Sequence, residues 1–137
     1  MLLEAERKRV LDAVEAQGLS LLLTVQDTTK ADYTGKRASA LLGSMSYKHQ
    51  KGLFLHNHVA LTPSGNPLGL FDQFHFERAT EALGTHRNRR KLRPFEEKES
   101  YRWFAQFERL QAAMADFPSV KVVDICDREA DIQELLQ

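Results

Sequence analysis

Apolar and polar positions along this chain change period several times, and each change marks an element. Leu3, Val10, Leu11 and Val14 share one helical face, with Glu4, Arg7, Lys8 and Glu15 on the rest. That spacing predicts an amphipathic helix, with Gly18 as its stop. The run Leu19-Ser20-Leu21-Leu22-Leu23-Thr24-Val25-Gln26 is almost continuously apolar and of strand length. It predicts a strand covered on both faces, ending at Asp27-Thr28-Thr29. Residues 30–50 are polar and read as a long loop with a helical turn at residues 38–42. Such a loop inside a compact domain is usually functional or mobile.

Strict alternation follows. Leu53, Leu55, Val59 and Leu61 face one way, and Phe54, His56, His58 and Ala60 the other. With the turn formers Thr62-Pro63-Ser64-Gly65-Asn66-Pro67 and a further strand over 68–76, residues 51–76 read as a β-hairpin. Helical spacing returns over 99–115, where Tyr101, Phe104, Phe107, Leu110 and Met114 form a face expected to be core. Phe117-Pro118 ends it. Val120, Val122, Val123 and Ile125 then make a short β-branched strand, expected to be buried and to stop at Asp127. A helical pattern resumes at Ile132, Leu135 and Leu136. The order is helix, strand, loop, hairpin, basic loop, helix, strand and the start of a helix, an α/β chain. Its parts are an N-terminal helix over 1–18 and a domain over 19–137.

Composition narrows the function classes. Of 137 residues, 42% are apolar and 28% charged, ordinary values for a globular domain and not for a disordered one. Formal net charge is zero, so affinity for nucleic acid must come from local clustering. The one cysteine, Cys126, excludes an internal disulfide and fits a reducing, cytoplasmic setting. No apolar run reaches the ~18 residues of a membrane span, and the N-terminal residues do not resemble a signal peptide.

Three groups of residues could carry chemistry. His56, His58 and His75 invite a zinc reading. However, His56 and His58 flank a single residue and no Cys or Asp completes a usual ligand set, so histidines satisfied by sheet neighbours are the better reading. The stretch His86-Arg87-Asn88-Arg89-Arg90-Lys91-Leu92-Arg93 holds five cations and no acid. Arg87, Arg89, Arg90, Lys91 and Arg93 could contact a phosphate backbone; the alternative is a solvated loop. Without interleaved aromatics, such contacts would not read sequence.

The acids are the third group. Asp127, Glu129 and Asp131 follow directly on the last strand, where α/β sheets place their chemistry. Asp127 or Asp131 could equally be an N-cap for the next helix. If the first and last strands lie side by side, Asp27 and Asp127 meet at one edge of the sheet. Two carboxylates there could share divalent ions ~3.5–4 Å apart, the arrangement of two-metal phosphodiester chemistry. Hard oxygen donors point to Mg2+ or Mn2+.

These residues also bear a resemblance. Val25-Gln26-Asp27-Thr28-Thr29, Gly69-Leu70-Phe71-Asp72-Gln73, Glu97-Lys98-Glu99-Ser100-Tyr101-Arg102-Trp103 and Cys126-Asp127-Arg128-Glu129-Ala130-Asp131 resemble, in the same order, the DDE transposases of bacterial insertion sequences. The nearest branch looks like the insertion-sequence-four family. The resemblance runs from about Leu19 to Gln137. It implies a ribonuclease-H-like mixed sheet with flanking helices and a metal-dependent enzyme that nicks DNA at transposon ends and joins the 3′ hydroxyl to target DNA. Its first two catalytic, metal-binding aspartates match Asp27 and Asp127. The family's third carboxylate, a glutamate on a helix well downstream, has no counterpart before Gln137, since Glu129 and Glu134 stand too close to Asp127.

The expectation is therefore a catalytic-domain fragment, with its fold incomplete at the C-terminus, inactive alone and handling DNA ends and target DNA. The rival readings are a non-catalytic regulator that binds DNA or pairs with itself or a full-length transposase, a gene remnant, and a small nuclease that completes its metal site with Glu129 or Asp131.

Overall fold

The computed structural model describes residues 2–45, 47, 49–77, 94–98 and 100–130. Helix α1 (Leu2–Ala16) ends as its composition predicts. Gly18 adopts a positive φ of 57°. Its N–H bonds to the Glu15 carbonyl, and the Leu19 N–H reaches back to Val14. This paired arrangement satisfies the last carbonyls of the helix, and a left-handed glycine permits it.

Among the described residues, four strands form one mixed sheet in the order β3-β2-β1-β4. β1 spans Leu21–Asp32, β2 Gly52–Leu61, β3 Pro67–Phe76 and β4 Lys121–Ile125. The hairpin β2–β3 is antiparallel, as its alternation predicts. β1 runs antiparallel to β2 and parallel to β4. Parallel neighbours need a crossover, which includes α2 (Tyr101–Met114). The structure is thus α/β, with both helices contributing to one core. Val10 and Val14 of α1 and Leu110 and Met114 of α2 pack with Leu22, Ala60, Leu68 and Phe71. Two register shifts in the hairpin, between His58 and Val59 and between Ala60 and Leu61, let both Phe71 and Asp72 be buried in sequence, the re-aiming that bulges provide.

Four expectations are corrected. β1 does not end at Asp27: β2 continues to pair with it as far as Asp32 opposite Gly52, so the ladder carries the strand on. The polar loop is correspondingly shorter and holds a 3-10 turn at Arg37–Leu41. β1 and β4 are not buried on both faces. Leu22, Thr24 and Gln26 are buried while Leu21, Leu23 and Val25 are only half-buried, and Val123 and Ile125 are 47% and 44% exposed. The two described helices cover the same side of the sheet.

The buried face of α2 is not its aromatic stripe. Arg102, Trp103, Gln106, Leu110 and Met114 point inward, and Tyr101, Phe104 and Phe107 are half-buried. The reason lies in the sheet, whose inward positions opposite the first half of α2 are polar and need polar partners. The basic residues 87–93 and the helical pattern from Ile132 lie outside the described residues.

Candidate metal edge and its buried polar support

The ladder between β1 and β4 brings together the two segments that end in acids. Each β1 residue pairs with the residue 100 positions later, from Leu21 opposite Lys121 to Val25 opposite Ile125. Asp27 stands two positions beyond Val25, and Asp127 two beyond Ile125. The two acids therefore follow the same last rung of a parallel pair. Both are exposed.

Each carboxylate uses one oxygen locally. Asp27 Oδ1 accepts the Thr28 N–H at 2.7 Å, and Asp127 Oδ1 accepts the Glu129 N–H at 2.8 Å. The second bond caps a 3-10 turn at Arg128–Ala130, closed by the Ala130 N–H on the Asp127 carbonyl. Capping and metal binding are thus compatible, because Oδ2 of each acid has no bonding partner among the described residues. Two free, hard, exposed oxygens suit Mg2+ or Mn2+. Among the described residues no group of three or more His, Cys, Asp or Glu side chains could hold a metal ion.

Behind this edge lies a polar network that the sequence reading does not assemble. Asp124, on the inward side of β4, is 9% exposed. It accepts bonds from Thr24 Oγ1 at 2.7 Å, Gln26 Nε2 at 2.5 Å and His58 Nε2 at 3.1 Å. Gln26 Oε1 accepts in turn from His56 Nε2, and His56 Nδ1 faces Thr28 Oγ1 at 2.8 Å. Arg102 Nε donates to the same Thr28 oxygen at 3.3 Å, and Arg102 Nη2 to Glu129 Oε2 at 2.6 Å. The direction of the chain follows from its obligate acceptor. The Asp124 carboxylate can only accept, so Gln26 turns its amide N–H to it and its Oε1 to His56 Nε2, which must donate. In the neutral imidazole Nδ1 then accepts the Thr28 hydroxyl.

Ionisation follows the same geometry. Burial is the chief force on His56, with the nearby Arg102 and His58 charges adding to it, and together they lower its pKa to about 4. Burial pushes the Asp124 carboxyl up, but the bonds from His58, Thr24 and Gln26 and the attraction of His58 outweigh it and hold the group below its ordinary value. Burial and the adjoining Asp124 raise the Cys126 thiol to about 12, so Cys126 offers no thiolate at neutral pH.

His56 is satisfied by its sheet neighbours, as its composition suggests; His58 is bonded through Nε2 only, and its buried Nδ1 has no partner among the described residues. His75 is exposed on β3, away from both. The signal for the network is present in the alternation. Thr24 and Gln26 occupy inward positions on β1, His56 and His58 inward positions on β2, and Asp124 shares the parity of Val122 on β4. Adjacent strands with polar residues at core positions imply mutual bonding.

No helix among the described residues is long and apolar enough to cross a membrane. No protein-family model matches the chain, and no curated protein matches it.

Proposed function

We propose that this chain provides the first two metal-binding carboxylates, Asp27 and Asp127, of a ribonuclease-H-like DDE transposase domain. The parallel ladder of β1 and β4 carries the reading, because the Gln-Asp-Thr-Thr and Cys-Asp-Arg-Glu-Ala-Asp segments both follow directly on its last pair, Val25 opposite Ile125. The strand order, with an antiparallel hairpin on one side of β1 and a helix-crossed parallel strand on the other, supports it.

Mg2+ or Mn2+ held there would stabilise the attacking and leaving oxygens of a phosphodiester. The chain's own part is to present two hard oxygens just past the end of that ladder. Arg87, Arg89, Arg90, Lys91 and Arg93 would hold the DNA backbone. Two carboxylates bind such an ion weakly, and Glu129 is already drawn to Arg102. The chain is therefore expected to bind metal weakly. Titration with Mn2+, followed by electron paramagnetic resonance, should show a site that Asp27→Asn and Asp127→Asn each abolish. A site indifferent to both substitutions would overturn the reading. In a complete enzyme, Arg87/Arg89/Arg90→Ala should reduce strand transfer and flatten its salt dependence.

A second reading, a regulator that pairs with itself or with an intact transposase, is favoured by one observation. Among the described residues β4 is an edge strand with Val123 and Ile125 exposed on the side away from the described helices, and such an edge can take up another strand. Co-expression with an intact relative should then lower transposition, and equal transposition would count against pairing.

A further inference from the structure

Arg102 touches neither candidate carboxylate, yet it binds a residue close in sequence to each, one position after Asp27 and two after Asp127. Its side chain is 7% exposed, lies over the rings of Phe76 at 5.2 Å and Trp103 at 5.7 Å, and so has little freedom to swing. From that fixed position Nε bonds Thr28, which follows Asp27, and Nη2 bonds Glu129. The backbone N–H of Glu129 in turn holds Asp127 Oδ1. One guanidinium on α2 therefore spans the β1 segment and the turn after β4, just beyond the point where their ladder has ended.

We infer that Arg102, acting through Thr28 and Glu129, is a positioning residue that sets the separation of Asp27 and Asp127 for a divalent cation. The inference rests on the metal reading of that edge and deepens it. A planar fork suits the task, because its donors have fixed relative directions. Lysine could reach one partner only.

Electrostatics makes the test selective. Removing a cation near a divalent site should strengthen metal binding if charge alone mattered. A positioning role predicts the opposite sign. In the purified chain, Arg102→Gln should weaken Mn2+ binding by about tenfold, the scale of lost outer-shell support, and Arg102→Lys should recover part of it. Glu129→Asp is the companion variant. Glu129 is 63% exposed, so the change keeps the charge and leaves the core alone while drawing the carboxylate away from Arg102.

Weaker Mn2+ binding in Glu129→Asp, with its melting temperature unchanged, is the result expected even if Arg102→Gln does not fold. Wild-type affinity in Glu129→Asp, or unchanged or tighter binding in a folded Arg102→Gln, overturns the positioning role. The metal reading is separable: it fails when Asp27→Asn and Asp127→Asn leave Mn2+ binding intact, whatever the Arg102 variants do.

Discussion

His56 is held neutral by what surrounds it, and that has a consequence for acid stability. In the unfolded chain an imidazole takes up its proton near its ordinary value of 6.5, whereas in the folded protein it does so only near 4. The unfolded state thus binds the proton first as pH falls. The neutral-His56 contribution is complete above about pH 6.5 and lost progressively down to about pH 4, to the extent of roughly 3 kcal/mol. Asp124, with its carboxyl held below 3.8, adds a separate loss at lower pH. Urea unfolding at a series of pH values should show the first loss in the wild type and its near absence in His56→Gln. Equal slopes in the two proteins would contradict the assignment. A histidine at an inward strand position is visible in the sequence. That its two nitrogens join Gln26 to Thr28 is not, because the bonds cross three strands and a helix.

At the scale of elements, Asp72 fastens both helices to the sheet. It is 2% exposed and pairs with Arg7 of α1 at 3.2 Å and Arg109 of α2 at 2.8 Å. Arg7 also lies over the Phe71 ring and donates to the Phe71 carbonyl. Asp72→Ala should cost about 2–3 kcal/mol, the range for buried bonds to charged groups, because both guanidinium partners are partly solvated and can hydrate. Arg109→Ala should cost less. Gly52 marks a second constraint, where the first residue of β2 lies against β1. A Cβ there would collide with the Ala31 carbonyl oxygen and the Met45 sulfur. Gly52→Ala is therefore expected to destabilise by about 2 kcal/mol, and a thermal melt within a degree of wild type would refute the close approach.

Element types were largely legible in the sequence, since the periods of 3.6 and 2 survive folding. The inward face of α2 was not. Hydrophobicity favours Tyr101, Phe104 and Phe107, yet the polar floor of Gln26, Thr28 and His56 selects Arg102, Trp103 and Gln106. Trp103 meets the His56 ring edge-on at 4.3 Å, and Gln106 donates to the His56 carbonyl. A helix chooses its face by what it lands on, and one-dimensional periodicity carries no record of the landing surface.

For the molecule as a whole, the readable part of the candidate site was the pair of acids at the ends of two apolar runs. Their closeness depended on an assumed pairing of first and last strands, which the ladder of β1 and β4 bears out. The coverage of the sheet was misread for a related reason. A run of leucines signals burial without saying on how many sides, and here one side is left to Leu21, Leu23, Val25, Val123 and Ile125. The span between Leu21 and Lys121 also bears on time. Closing so long a stretch of chain costs more entropy than forming a hairpin, and long-range pairings slow folding. β2 and β3, joined by five residues (62–66), should gain protection from hydrogen exchange early in refolding, and β4 last. During synthesis, β1 to β3 emerge before β4 exists, so every newly made chain passes through a period in which the edge proposed to hold metal cannot yet form. A nascent chain halted before Lys121 should be silent toward Mn2+, however well its hairpin has folded.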